Sequence, residues 1–145
     1  MLAILKGKEI LSMNYLDDCL KNKTILPIEN YIFKDEIAEV KYKFTLTDTI
    51  ENVKKNITGV FDKTEFYIWE NPELFNDISE IIKVGGGILS EIIHTNSSQI
   101  ILIKKSDKKD FEKKIMDRVE NIYSFELVFQ ACLQQKMDFA QFKLL

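Results

Sequence analysis

Residues Ile122–Leu133 read IYSFELVFQACL, and the earlier stretch Ile10–Leu20, ILSMNYLDDCL, repeats their plan. Each opens on two apolar residues and a serine, then continues as an apolar-rich run of helical length. Ser12 and Ser124 stand where a helix N-cap belongs, their hydroxyls placed to accept a first-turn backbone N–H. After Ser12, the apolar Tyr15, Leu16, Cys19 and Leu20 share one helical face, while Asn14, Asp17, Asp18 and Lys21 take the other. That is the pattern of a half-buried helix. Tyr31, 19 residues beyond Ser12, and Phe142, 18 beyond Ser124, each close their copy inside a short apolar run. The chain therefore holds an internal repeat with an offset of 112 residues, from Ser12 to Ser124. A second unit opening near Gly59 has a counterpart that would open before Met1. The first unit is thus expected to be incomplete, with only its closing strand and helix present.

The 145 residues, 46% hydrophobic and 30% charged, suit a globular domain with a core of ordinary size. Twenty basic residues against 23 acidic ones, well mixed, leave a net charge of −3 and no broad basic surface for a nucleic-acid backbone. Cys19 and Cys132 occupy related places on the two helices and lack metal-ligand spacing, which reads as buried thiols in a reducing compartment. MLAIL at the start is too short for a signal peptide, and no stretch is long and apolar enough to span a membrane. Without a secretory signal, the glycosylation patterns at Asn56-Ile57-Thr58 and Asn96-Ser97-Ser98 read as chance. Cytoplasm or nucleus is the expected setting.

In chain order, Met1–Leu5 reads as the last turn of a helix closed by Gly7, with a short strand at Glu9–Leu11 before the first repeated helix. Pro27 argues against a central strand in Thr24–Phe33. Lys34–Glu39, charged and without turn chemistry, reads as the linker between units, and the alternation across Val40–Thr45 as a short strand or an extended tether with one buried face. Thr47-Asp48, with Glu51 completing a capping box, starts a helix that runs to Asn56. From Gly59, Val60-Phe61 leads through a polar turn at Asp62-Lys63 into a strand at Glu65–Trp69. A loop over Glu70–Asn76 precedes a helix carrying Leu74, Ile78, Ile81 and Ile82. Further strands are expected at Ile88-Leu89, Ile100–Ile103 and Ile122-Tyr123, with a helix from Ser106–Asp110 that turns Phe111, Ile115 and Met116 inward. Strand, helix, strand, strand, helix, strand, helix is an α/β order that asks for a small parallel sheet flanked by helices.

Motifs that could carry chemistry have plainer readings. Gly85-Gly86-Gly87 follows a helix instead of opening one, the reverse of a phosphate loop, and reads as a C-cap with close packing. His94 lies in a polar loop with no carboxylate in register and reads as solvated. Asp17, Asp18 and Glu126 sit on helix surfaces, and Trp69 with its FYIW run reads as core. No nucleophile and base share a register. The expectation is a binding module, not an enzyme, with no metal and no cofactor.

ILSMNYLDDCLKNKTILPIENYIF resembles the closing third of a BRCT domain, YIFKDEIAEVKYKFTLTDTI is similar to the segment between tandem BRCT repeats, and IYSFELVFQACLQQKMDFAQFKL to the end of a last repeat. The Gly86-Gly87 turn fits the same family. The family's usual tryptophan in the last helix is Tyr15 in the first copy and Leu127 in the second, where Phe125 or Phe129 is expected to supply the missing aromatic volume.

The resemblance implies a BRCT fold divided as 1–33, the end of a first repeat; 34–58, a linker with a helix; and 59–145, a complete second repeat. It also implies a nuclear reader of phosphoserine peptides in the DNA damage response, with a phosphorylated histone tail or another repair protein as partner. Sequence-specific nucleic acid and membrane are not implied. In such pairs a hydroxyl, a glycine N–H and a lysine of the first repeat hold the phosphate, and all three positions would precede Met1. The carry-over to this chain is the Pro72-Glu73 loop and Gln130, which stands where relatives have a threonine that meets the peptide's terminal carboxylate; the Gln130 amide can donate there, whereas an inward Glu73 would repel it. The truncated first repeat, left with an apolar helix face, is expected to favour self-association. The alternative is a phosphate-independent scaffold for protein docking.

Overall fold

The computed structural model describes residues 1–69, 72–94, 98–115 and 119–144, with the side chains of 72 and 73 outside the description. Helices α1 (Leu2–Leu5), α2 (Asn14–Asn22), α3 (Glu36–Tyr42) and α4 (Leu46–Lys55) precede the sheet. Then come β1 (Glu65–Ile68), α5 (Pro72–Val84), β2 (Ile88–Leu89), β3 (Ile100–Ile103), α6 (Lys108–Lys114), β4 (Ile122–Ser124), α7 (Glu126–Gln134) and α8 (Phe139–Phe142). The strands pair in the order β2-β1-β3-β4, all parallel, with Tyr67 opposite Ile101 and Leu102 opposite Tyr123. This is the small parallel sheet flanked by helices that the strand and helix order asked for.

The central strand β3, IILI, is buried on both faces because helices cover both. Its alternation sorts the core. Ile100 and Leu102 join Phe66, Ile68, Ile78, Ile82, Leu127 and Val128 between the sheet and α5 and α7. Ile101 and Ile103 join Trp69, Phe111 and Ile122 on the side of α6. Trp69 packs edge-on to Phe111 at 4.9 Å between ring centroids, a core residue as expected. Each side chain so buried contributes about 1.5–3 kcal/mol. A third cluster, Ile4, Leu46 and Ile50 with Ile10, Phe44 and Leu133, ties α1 and α4 to α7.

Several local expectations are corrected. Glu9–Leu11 forms no strand: it makes one antiparallel bridge, Leu11 opposite Ile32, with Ser12 N–H to Tyr31 O and Phe33 N–H to Ile10 O, each 2.8 Å. Val40–Tyr42, expected in a short strand or extended tether, ends the helix α3, which starts because Asp35 accepts the Ala38 N–H at 2.9 Å and satisfies its first turn. Val40 and Phe44, read as alternating, are also four apart, so alternation over so few residues could not exclude a helix. The cap of α4 is Thr45, three residues before the expected Asp48. Its Oγ1 accepts the Asp48 N–H and donates to the Asp48 carboxylate. The expected loop at Glu70–Asn76 is helical from Pro72, whose fixed φ suits a first helical position. Glu70, Asn71, Asn96, Ser97 and Met116 lie outside the described residues.

The glycines close the turn into the sheet. Gly59 has φ +93 and Gly86 φ +85, and a Cβ on Gly86 would stand 2.1 Å from the Thr58 carbonyl oxygen. Phe61 N–H bonds Gly85 O at 2.8 Å, and the Phe61 ring, fully buried, meets Phe66 edge-on at 5.4 Å.

Candidate interaction surface

The two repeated helices are placed differently. α7 lies on the sheet with Leu127, Val128 and Cys132 fully buried, and Phe125 enters the core while Phe129 packs against it. Leu127 thus occupies the core beside two phenylalanines. The Ser124 hydroxyl accepts the Glu126 N–H at 3.2 Å. Neither serine is the expected N-cap: the chain enters α2 at Met13 and α7 at Phe125, both in right-handed geometry with no side-chain cap, and at Ser12 the carbonyl, not the hydroxyl, accepts a first-turn N–H, that of Tyr15.

α2 is held by a polar and aromatic knot, not by a core. The Tyr15 hydroxyl donates to Leu26 O at 3.1 Å, the Tyr31 hydroxyl donates to Asp18 Oδ2 at 3.1 Å, and the two rings meet edge-on at 5.2 Å. Desolvation, then the hydrogen bond to Asp18, raises the Tyr31 pKa. Asp18, expected as a solvated surface group, is therefore engaged, and Lys21 lies 3.5 Å from its other oxygen. Both cysteines are free thiols; Cys19 accepts the Leu26 N–H, and burial pushes the Cys132 thiol up to about 12.

α1 packs against α4, α5 and α7, and the linker docks on α7. The Gln130 amide donates to Tyr42 O at 2.6 Å and the Gln134 amide to the same oxygen at 3.0 Å, while the Thr49 hydroxyl donates to Leu133 O. Alongside this junction lies a cleft of about 550 Å³. Phe129, Leu133 and Phe142 supply its apolar wall, and Lys41 and Lys43 line it too. Glu126, also at the cleft, is paired with Lys105 at 3.1 Å.

Of the residues picked from sequence, Gln130 lines this cleft, but its amide already serves the linker. Pro72 and Glu73 begin α5, and their side chains lie outside the description. Tyr42, Phe129 and Gln134 were missed. The one signal for Gln134 was its i+4 spacing from Gln130, which puts two amides on one helix face. His94, expected without a carboxylate, has Glu65 Oε1 at 3.3 Å and Ser90 Oγ at 3.3 Å. Both oxygens face the same Nε2, so the ring cannot relay a proton from one to the other as a serine–histidine–acid triad requires.

A family model described as BRCT domain matches residues 59–142, spanning every strand of the sheet. The chain belongs to the BRCT family. BRCT domains are protein-interaction modules, and this one is related to a protein named for the DNA damage response. It is 25% identical over 143 residues to the DNA damage response protein Mdb1 of Schizosaccharomyces pombe, covering 98% of this chain and 23% of that protein. To PAX-interacting protein 1 of Mus musculus it is 26% identical over 153 residues, covering 97% of this chain and 14% of that one. The chain thus spans less than a quarter of these two BRCT relatives. Among solved structures, the S. pombe Brc1 BRCT5-BRCT6 domains match with a TM-score of 0.74 at 18% identity, covering 95% of this chain and 73% of that one. Rtt107p matches at 0.61 and 17% identity, over 96% and 66%. At these identities the likeness is one of fold.

Proposed function

We propose that this chain comprises the end of a first BRCT repeat (1–33), a linker (34–58) and a complete second repeat (59–145), and is half of a nuclear phosphopeptide reader in the DNA damage response. The observation that carries the reading is the recurrence of one local geometry 112 residues on. α2 and α7 share bounds at that offset, Asn14–Asn22 and Glu126–Gln134, and each ends on a left-handed residue, Lys23 and Gln135. The antiparallel bridge from Leu11 to Ile32 has its parallel in that from Tyr123 to Lys143. The cover differs. Val128 and Cys132 are 0% exposed, whereas Leu16 and Leu20, at the same repeat positions, are 57% and 75% exposed. In the second unit that face rests on the sheet, so the fitting cover for Leu16 and Leu20 is the sheet of a first repeat.

On this reading the phosphate is held by the first repeat's hydroxyl, glycine N–H and lysine, upstream of Met1, and the cleft beside α7 receives the peptide residues C-terminal to the phosphoserine. Its apolar wall suits a side chain, and Lys41 and Lys43 suit a nearby carboxylate. The proposed ligand is the phosphorylated tail of a damage-marked histone. The chain alone binds it weakly or not at all, because a dianion needs its paired donors.

Fluorescence anisotropy of a phosphoserine histone-tail peptide and its unphosphorylated twin tests this, on the present chain and on one lengthened upstream by a full repeat. The reading expects binding by the longer chain and the phosphorylated peptide only. Tight phosphate-dependent binding by the present chain refutes the division of the site. A second reading, a scaffold indifferent to phosphate, is favoured by the engagement of the Gln130 amide with Tyr42; it expects partner binding to survive dephosphorylation.

A further inference from the structure

The linker helix α3 turns its apolar residues outward. Ile37 and Val40, one turn apart, are 83% and 79% exposed, while Ala38 and Glu39 are partly buried. Polar bonds impose this orientation. Glu39 Oε1 accepts the Leu46 N–H at 3.0 Å, and the Gln130 and Gln134 amides hold the Tyr42 carbonyl. Rolling Ile37 and Val40 inward would break these bonds. α4, by contrast, buries Leu46 and Ile50 in the ordinary way.

Between α3 and the start of α4 runs an open groove of about 600 Å³. It is lined by Val40 and Phe44, with the carboxylates of Glu36, Glu39 and Asp48 outnumbering the ammonium of Lys43. Two of these carboxylates are pinned, Glu39 by the Leu46 N–H and Asp48 by the Thr45 hydroxyl, so apolar surface and negative charge are both set in place before anything binds. The groove shares only Lys43 with the cleft beside Phe129 and Gln130. The exposed face of α2 has a counterpart in α7, which rests on a sheet; α3 belongs to the linker and has no counterpart in the repeat.

We propose that the α3–α4 elbow is a docking groove for a basic amphipathic helix of a partner protein. The partner's apolar stripe covers Ile37, Val40 and Phe44, and its lysines or arginines face Glu36, Glu39 and Asp48. The excess of carboxylates selects a basic over an acidic helix and makes the association weaken with salt. This surface meets the proposed peptide cleft only at Lys43.

The test is an amide NMR titration of the present chain with a designed helical peptide of leucine and lysine in amphipathic register, and with its twin carrying glutamate for lysine. The expected result is shifts centred on residues 36–48, with the lysine peptide binding at least about tenfold tighter than its twin. The double variant Ile37→Lys/Val40→Lys, whose sites are exposed, keeps the spectrum of the sheet and loses at least about tenfold in affinity. Absence of binding, equal binding by the twin, an unaffected double variant, or shifts centred on Leu16 and Leu20 would each overturn the proposal.

Discussion

Gln130 on α7 and Tyr42 at the end of α3, 88 residues apart in the chain, are joined by a 2.6 Å hydrogen bond from the glutamine amide to the tyrosine carbonyl. Gln134 reaches the same carbonyl at 3.0 Å, so the oxygen has a second donor if one is lost. Gln130→Ala is expected to cost about 1 kcal/mol, and the double variant Gln130→Ala/Gln134→Ala more than the sum of the two single losses. Urea denaturation of the four proteins checks this, with amide exchange at Phe44 reporting on the end of α3.

The two repeated helices are expected to respond unequally. Leu127, fully buried, should lose about 2–5 kcal/mol on replacement by alanine, while Leu16→Ala should fall within about 0.5 kcal/mol of the parent. In a chain carrying a full first repeat, Leu16→Ala should become costly. Chemical denaturation of both variants in both chains separates these outcomes.

Gly86→Ala should destabilise by about 2 kcal/mol or more. The residue has φ +85, and the added carbon would meet the Thr58 carbonyl oxygen, which is backbone and cannot swing aside. Melting temperature is a sufficient readout, with Glu80→Ala, at an exposed helix site, as the neutral control.

Alkaline pH should unfold the protein through Cys132. Its folded pKa, about 12 against a reference of 9.0, is raised by burial, so the unfolded chain releases its proton first. This contribution is intact below about pH 9 and is lost as pH rises toward about 12, at roughly 1.4 kcal/mol per unit. Desolvation also raises Tyr123, adding in the same direction at higher pH. Cys132→Ala should flatten the stability profile between these limits, measured by denaturation at stepped pH.

Sequence by itself determined the recurrence at 112 residues, the order of strands and helices from Glu65 to Gln134, and the burial of Phe66, Trp69, Ile82 and Phe111, but not the short last helix α8. These rest on local periodicity: each residue's type and spacing state which face seeks burial. Tertiary structure alone decided what was available to bury it. Leu16 and Val128 carry the same signal, and one is exposed because no sheet lies beneath it. It also decided that α3 is a helix with Ile37 and Val40 outward, since the bonds that orient it come from Leu46, Gln130 and Gln134. Hydrogen bonds between residues 88 positions apart leave no periodic trace in the chain, so the linker's shape, and the groove it forms, become legible only once α7 has placed its amides.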